Sequence, residues 1–216
     1  MSRLSPVLLP ALIASAALAI AAAPWALDQP VLAWIFKPLA TLLVIAHAWP
    51  RGRDQLSARH WVRLGLIGSL VGDVALLWPD KGFLPGLVSF LLAHLAYLMA
   101  FTRGTRLAQR WTPFVAYALV ATVVLAALWP GVPPALRGPV LAYVLCLGAM
   151  AAQAAVVWRA GRERGAVLAA GGALFMLSDA LLATNKFGGP LPLASLWVLS
   201  SYWAAQWCIA SWLRPR

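Results

Sequence analysis

Apolar residues run along the chain in eight stretches of roughly 17–23 residues, each long enough to cross about 30 Å of hydrocarbon as a helix. They cover approximately residues 5–24, 31–49, 62–78, 83–101, 113–129, 139–158, 166–184 and 191–213. Prolines punctuate most of the gaps, at Pro24, Pro30, Pro50, Pro79, Pro113, Pro130, Pro133, Pro134, Pro190 and Pro192. Trp25, Trp34, Trp49, Trp61, Trp78, Trp111, Trp129, Trp158 and Trp212 gather near the ends of the stretches, where an amphipathic ring prefers the interface between lipid and water. The pattern predicts an all-α polytopic membrane protein of eight transmembrane helices, folded as a single transmembrane domain over residues 1–216.

Composition agrees. Hydrophobic residues make up 62% of the 216 and charged ones only 11%, about half the charged fraction of a soluble domain. The mean hydropathy is +0.81. A net charge of +11 in a soluble protein would suggest nucleic acid, but here the positive residues fall between the apolar stretches, so topology explains them and no nucleic acid is expected. Arg3, the loop with Arg51, Arg53, Arg59 and Arg63, the loop with Arg103, Arg106 and Arg110, and Arg159, Arg162, Arg164, Arg214 and Arg216 share one side. The other side holds Lys81, Arg137 and Lys186, while Lys37 lies within a stretch. The positive-inside rule then makes both termini cytoplasmic, and the expected location is a bacterial inner (plasma) membrane. The first stretch, with Arg3 before it and three alanines at 21–23, also has the form of a cleaved signal peptide; a retained first helix is the reading adopted. Cys146 and Cys208 lie inside apolar stretches as packing residues.

The chain also matches itself. PVLAW at 30–34 recurs as PVLAY at 139–143. Setting Asp73 against Asp179 pairs Gly65 with Gly171, Gly72 with Ser178 and Leu76 with Leu182. Four stretches separate the copies, as in a parallel four-plus-four internal repeat with halves 1–110 and 111–216. Chance matching in Ala/Leu-rich sequence is the alternative.

Charged and polar groups inside the stretches are where chemistry is sought, because an ionisable group in hydrocarbon is costly and marks function. At 1.5 Å per residue, Asp73 and Asp179 each lie about 8 Å from the outer ends of the third and seventh stretches, and Lys37 about 10 Å in from Pro30. His94 and Tyr202 come about 16 Å deep, with Gln206 one turn further. Helical spacing puts Lys186 seven residues from Asp179, Tyr97 three from His94, Gln206 four from Tyr202 and Thr41 four from Lys37. Structural readings exist for each. Asp73 with Lys37, and Asp179 with Lys186, would serve as buried ion pairs. His94 would be a core histidine, and Tyr202 and Gln206 interhelical glue worth about 1 kcal/mol each. Gly65, Gly68 and Gly72 would allow close helix contact, and His47 and His60 receive no role. Taken together, so many polar groups at one depth exceed what packing requires. They are expected to face one cavity, with His94 and Tyr202 deeper along its wall and the two carboxylates roughly 5–10 Å apart, as in glycosidases.

No cysteine–histidine or Ser–His–Asp constellation is evident, and no HExxH or paired-histidine spacing supports a metal. The site is therefore read without metal or cofactor. Two carboxylates in unequal surroundings suit acid–base work, one holding a proton while the other stays ionised. Protonation of an acetal-like or enol-ether bond yields an oxocarbenium ion that a carboxylate stabilises.

KPLAT (37–41), GSLVGDVAL (68–76), FLPGLVSFLLAHLAY (83–97), SDALLATNKF (178–187) and YWAAQWCI (202–209) together resemble the YhhN-like transmembrane lysoplasmalogenases. The resemblance runs from the second stretch to the C-terminus. It implies hydrolysis of the vinyl-ether bond of lysoplasmalogens, giving a fatty aldehyde and a glycerophospho-head group, with a lysophospholipid-type substrate drawn from membrane lipid. Carried onto the motifs, Asp73, Asp179, His94 and Tyr202 are the catalytic candidates, and Lys37, Asn185, Lys186 and Gln206 the substrate-binding ones. Gly68 departs from the pattern, since a bulky residue often precedes the serine there, and this bears on chain preference. A proton-coupled small-solute or lipid transporter, using the carboxylates as a relay, is the rival from another class. A purely structural membrane protein is the third reading. Nothing in the sequence fixes an oligomeric state.

Reporter fusions after Arg106 and after Arg162 should both read as cytoplasmic and one after Gly131 as external; a cytoplasmic signal at 131 would overturn the topology.

Overall fold

The computed structural model describes residues 5–78 and 81–215. Arg3, Pro79 and Arg216, used in the sequence reading, lie outside the described residues. Eight α-helices follow one another among them: α1 (Ser5–Ala21), α2 (Pro30–Ala48), α3 (Leu56–Ala75), α4 (Phe83–Phe101), α5 (Thr112–Leu128), α6 (Pro134–Arg159), α7 (Gly165–Ala183) and α8 (Ala194–Trp212). A short 3₁₀ turn, Trp129–Gly131, follows α5, and a π-helical turn, Thr184–Gly188, extends α7.

Most helix boundaries fall within a few residues of the apolar stretches, with two exceptions. α3 begins at Leu56 because its first turns are the polar LSARH segment, which apolarity does not mark. α6 begins at Pro134, where the fixed φ of proline favours the first helical turn. Among the described residues five segments are long and apolar enough to cross a membrane: Pro30–Ala48, Phe83–Phe101, Thr112–Gly131, Pro134–Arg159 and Gly165–Gly188. The expectation of eight meets this criterion in part. α1 has 17 residues, α3 carries Arg59, His60, Arg63 and Asp73, and α8 is diluted by Ser, Tyr and Gln.

Packing is largely sequential and is closed by cross-contacts, of which α4 on α6 and α2 on α8 are the largest, with α8 also touching α1 and α3. α1 lies on α2, α2 on α3, α3 on α4, α5 on α6, α6 on α7 and α7 on α8; α4 then packs on α6 and α2 on α8. α6 is the most enclosed helix, with Met150, Ala151, Ala152, Gln153 and Ala154 buried in succession. α5 buries only Pro113 and Leu128 and exposes Val115, Leu119, Val120 and Val123, as a helix facing lipid does. At Gly65 a Cβ would come within 2.3 Å of the Tyr97 ring, and at Gly72 within 2.6 Å of Phe90. The missing side chains let α4 close onto α3 and seat both rings. At one end of the bundle Arg214 bridges Asp54 (2.8 Å) and Glu163 (2.7 Å), and Arg51 donates to the Leu213 carbonyl (3.0 Å). The loops after α2 and α6 and the C-terminal segment are thereby gathered on one face.

Candidate active site

Asp73 lies in the last turns of α3 and is 1% exposed. Three helices meet at its carboxylate. Oδ2 accepts from the Thr41 hydroxyl at 2.6 Å and from the Tyr202 hydroxyl at 2.8 Å. Lys37 Nζ stands 3.7 Å from Oδ1 and donates to the Asp73 carbonyl at 3.2 Å. Lys37 and Thr41, one turn apart on α2, present to α3 together. Trp203 of α8 donates to Thr41 Oγ1 at 3.1 Å, which turns the threonine proton toward the carboxylate.

A second polar line runs deeper. Tyr97 donates to Gln206 Oε1 at 2.6 Å and lies 3.4 Å from Ser69 Oγ, while Gln206 Nε2 has no partner. His94 is fully buried, and both its ring nitrogens lack a protein partner. Its ring packs against Phe175 at 4.5 Å and Tyr143 at 5.3 Å between centroids.

Asp179, on α7, is met by a residue the sequence reading did not single out. Tyr143 of α6 donates to Oδ2 at 2.5 Å. The two line a cavity of about 400 Å³ whose walls are otherwise almost entirely apolar. Leu128 and Tyr117 both border it; eleven residues apart on α5, they give it a length of about 16 Å. Phe83 and Phe187, whose rings meet edge to face at 5.7 Å, stand at the end where Leu76 and Val132 also lie.

Among the described residues, the cavity bordered by Asp179 is not shared by Asp73, contrary to the single cavity expected for both aspartates. Asp179 lines the cavity, whereas Asp73 sits behind a partition of rings. Phe90 borders the cavity and packs on Tyr202 at 5.8 Å, and Phe175 packs on Tyr202 at 5.5 Å. His94 and Tyr202 belong to this partition rather than to the cavity wall. Lys186 does not pair with Asp179. The α-helix gives way to the π turn at Thr184, and the exposed lysine holds its Nζ 5.2 Å from the Phe83 ring centre. Asn185 Oδ1 accepts from the Leu191 N–H at 2.9 Å, closing the turn into α8. Of the eight candidates, Asp73 is in direct contact with both Lys37 and Tyr202, Gln206 lies one turn along α8 from Tyr202 and is bonded to Tyr97, and Asn185 and Lys186 flank the cavity end. Among the described residues no three His, Cys, Asp or Glu side chains converge as a metal site requires.

The fold and the site define a class: an all-helical, multi-pass membrane protein with an apolar cavity that carries a carboxyl group in its wall. Residues 32–213 match the YhhN family, and the chain belongs to it. It is 38% identical over 191 residues to lysoplasmalogenase TMEM86B of Sus scrofa, a match covering 83% of this chain and 74% of that protein. It is likewise 38% identical over 152 residues to lysoplasmalogenase TMEM86A of Homo sapiens, covering 68% of this chain and 62% of the relative. The match to membrane protein YhhN of Escherichia coli O157:H7 is 32% over 97 residues, 44% of this chain and 46% of that one. The chain thus spans less than two thirds of the human relative. No solved structure matches it.

Removing one partner of a buried ion pair leaves a charge uncompensated and costs about 3–5 kcal/mol, whereas removing both costs far less. Lys37→Met should therefore lower the thermal midpoint of the purified protein, and adding Asp73→Asn should recover most of the loss. A double variant as unstable as Lys37→Met would show that the pair does not govern this layer.

Proposed function

We propose that the chain is a membrane-embedded ether hydrolase that cleaves the vinyl-ether bond of lysoplasmalogens, releasing a fatty aldehyde and a glycerophospho-head group by carboxylate acid–base catalysis. The observation that carries the reading is the long apolar cavity with Asp179 in its wall and Lys186 beside the end marked by Phe83 and Phe187. The names of the pig and human relatives support it. All eight helices are taken to cross the membrane, both termini to be cytoplasmic, and residues 1–216 to form one domain in a bacterial inner membrane. A four-plus-four repeat is supported by the helix pairing. A shift by four helices turns α1–α2, α2–α3, α3–α4 and α2–α8 into the packed pairs α5–α6, α6–α7, α7–α8 and α6–α4, whereas the smaller α1–α8 and α3–α8 contacts have no such counterparts.

In the mechanism the alkenyl chain fills the cavity, and each buried methylene contributes about 0.8 kcal/mol. The head group stays at the mouth, where Lys186 attracts the phosphate as a point charge and Asn185 holds the turn that carries it. One aspartate protonates the β-carbon of the vinyl ether, and the other stabilises the resulting cation. Water then adds, and the hemiacetal collapses to aldehyde and alcohol. His94 and Gln206 Nε2, buried and without protein partners, are available to orient water, with Tyr202 and Lys37 fixing the charge of Asp73.

Mass spectrometry of the purified protein incubated with a panel of lysolipids tests this. A long-chain aldehyde released from the 1-alkenyl lipid alone is the expected result; free fatty acid would point to an ester hydrolase, and vesicle uptake without turnover to a transporter. General acid–base groups contribute about 10²–10⁴ each, so Asp73→Asn and Asp179→Asn should each lose at least about a hundredfold in kcat. Lys186→Ala should raise KM more than it lowers kcat, because phosphate attraction is shared by ground and transition states.

A further inference from the structure

The two aspartates, Asp73 buried and Asp179 half-buried, are built alike and finished differently. Each has a polar partner 36 residues earlier in the chain: Lys37 for Asp73 and Tyr143 for Asp179. In the register that sets Asp73 against Asp179, Lys37 and Tyr143 fall on the same position of equivalent helices, α2 and α6. One is a cation and the other a neutral phenol. Equivalent carboxylates are thereby given unlike surroundings.

At Asp73 every oxygen is already engaged by a donor. Oδ2 accepts from Thr41 and Tyr202, and Oδ1 faces the Lys37 ammonium. The threonine cannot easily reverse its bond, because Trp203 donates to the same hydroxyl oxygen. Such a set favours the ionised form. The carboxyl is also closed off from the cavity by Phe90 and Tyr202. At Asp179 only Oδ2 is engaged, by Tyr143. Among the described residues Oδ1 has no hydrogen-bond partner, yet it is not an enclosed orphan, since the side chain borders the cavity. A proton on Oδ1 meets no competing acceptor from the protein and faces the space where an alkenyl chain fits.

Resting on the vinyl-ether hydrolase reading, we infer that Asp179 is the general acid, delivering its proton from Oδ1 into the cavity, that Tyr143 is its positioning residue, and that Asp73 is the fixed anion of the pair. The Asp179 O–H bond breaks and the π pair of the vinyl ether takes up the hydrogen at the β-carbon. Positive charge then spreads over the α-carbon and the ether oxygen. Asp179 is now a carboxylate, and the hydrogen bond from Tyr143 strengthens as that charge forms. Water bonds through its oxygen to the α-carbon and returns a proton to Asp179. The hemiacetal hydroxyl proton passes to the ether oxygen as the carbon–oxygen bond to glycerol breaks, leaving an aldehyde and a free alcohol. One water is consumed and the carboxylic acid is restored.

The phenol also explains why the second half has no lysine here. An ammonium at position 143 would hold Asp179 ionised, as Lys37 holds Asp73, and would leave the cavity without an acid.

The test is aldehyde release across pH by the full-length chain and three variants, Tyr143→Phe, Asp179→Asn and Asp73→Asn. The groups facing Asp179 and Tyr143 are His94 of α4, Cys146 of α6 and Tyr202 of α8; those facing Asp73 are Lys37 and Thr41 of α2, Tyr97 of α4 and Tyr202 of α8. Loss of activity with rising pH should belong to Asp179, which must be protonated, and loss with falling pH to Asp73, which must be ionised. The residual activity of Asp179→Asn should therefore no longer fall as pH rises, and that of Asp73→Asn should no longer fall as pH drops. Tyr143→Phe keeps the ring and should lower kcat about ten- to a hundredfold, the worth of a hydrogen bond to a forming charge, with KM within about twofold of the parent. The opposite exchange of limbs between the two asparagine variants overturns the assignment, and a Tyr143→Phe protein with the parent kcat removes the tyrosine from it. If Asp179→Asn does not fold, the kcat of Tyr143→Phe decides. Absence of aldehyde from the parent chain would instead overturn the ether-hydrolase reading and this inference with it.

Discussion

A carboxylate in a hydrocarbon-solvated bundle must be surrounded by donors, because no water is at hand to serve it. Asp73 meets that demand with groups from both ends of the chain, Lys37 and Thr41 on α2 and Tyr202 on α8. The requirement brings the second and last helices together against α3. Trp203, bonded to Thr41, and Phe90, packed on Tyr202, then extend the polar knot into an aromatic layer. Small residues on α3 make room for this layer, since any side chain at Gly65 or Gly72 would collide with the rings of Tyr97 or Phe90. The arrangement of helices and the closure of the Asp73 compartment thus share one physical cause.

The same demand is met more sparingly at Asp179, and the difference is what allows chemistry. One phenol satisfies one oxygen, and the remaining face opens on a cavity between α4, α5, α6 and α7. α5 contributes apolar side chains and little packing, so the cavity wall on that side is a helix with few ties to the bundle. His94 stands between the compartments, against Phe175 and Tyr143, without a hydrogen-bond partner of its own. In the proposed reaction the closed carboxylate supplies charge and the open one supplies the proton.

Periodic apolarity and the placement of arginine, proline and tryptophan made the helical organisation legible, because the bilayer imposes length and flank composition directly. The Lys37–Asp73 pair was also legible, since depth along two helices is simple arithmetic. The pairing of Asp179 with Lys186 was not, because a seven-residue spacing assumes a continuous α-helix and the chain switches to a π turn at Thr184. Tyr143 was overlooked for a related reason. The PVLAW–PVLAY match sets it against Trp34, whereas the register of the aspartates, three residues different, sets it against Lys37. Depth alone also said nothing about azimuth, so the ring partition between Asp73 and the cavity had no sequence signal beyond the aromatic residues that form it.

The claim on which the proposed chemistry rests is that a protein acid protonates the β-carbon of a vinyl ether. Hydrolysis of a 1-alkenyl lysophospholipid in deuterium oxide, with the aldehyde trapped at once as an oxime, measures that step directly by mass spectrometry. One deuterium on the carbon next to the former carbonyl, in aldehyde that the purified chain releases at least about a hundredfold faster than Asp179→Asn does, is the predicted result. Aldehyde released without deuterium at that carbon would contradict it.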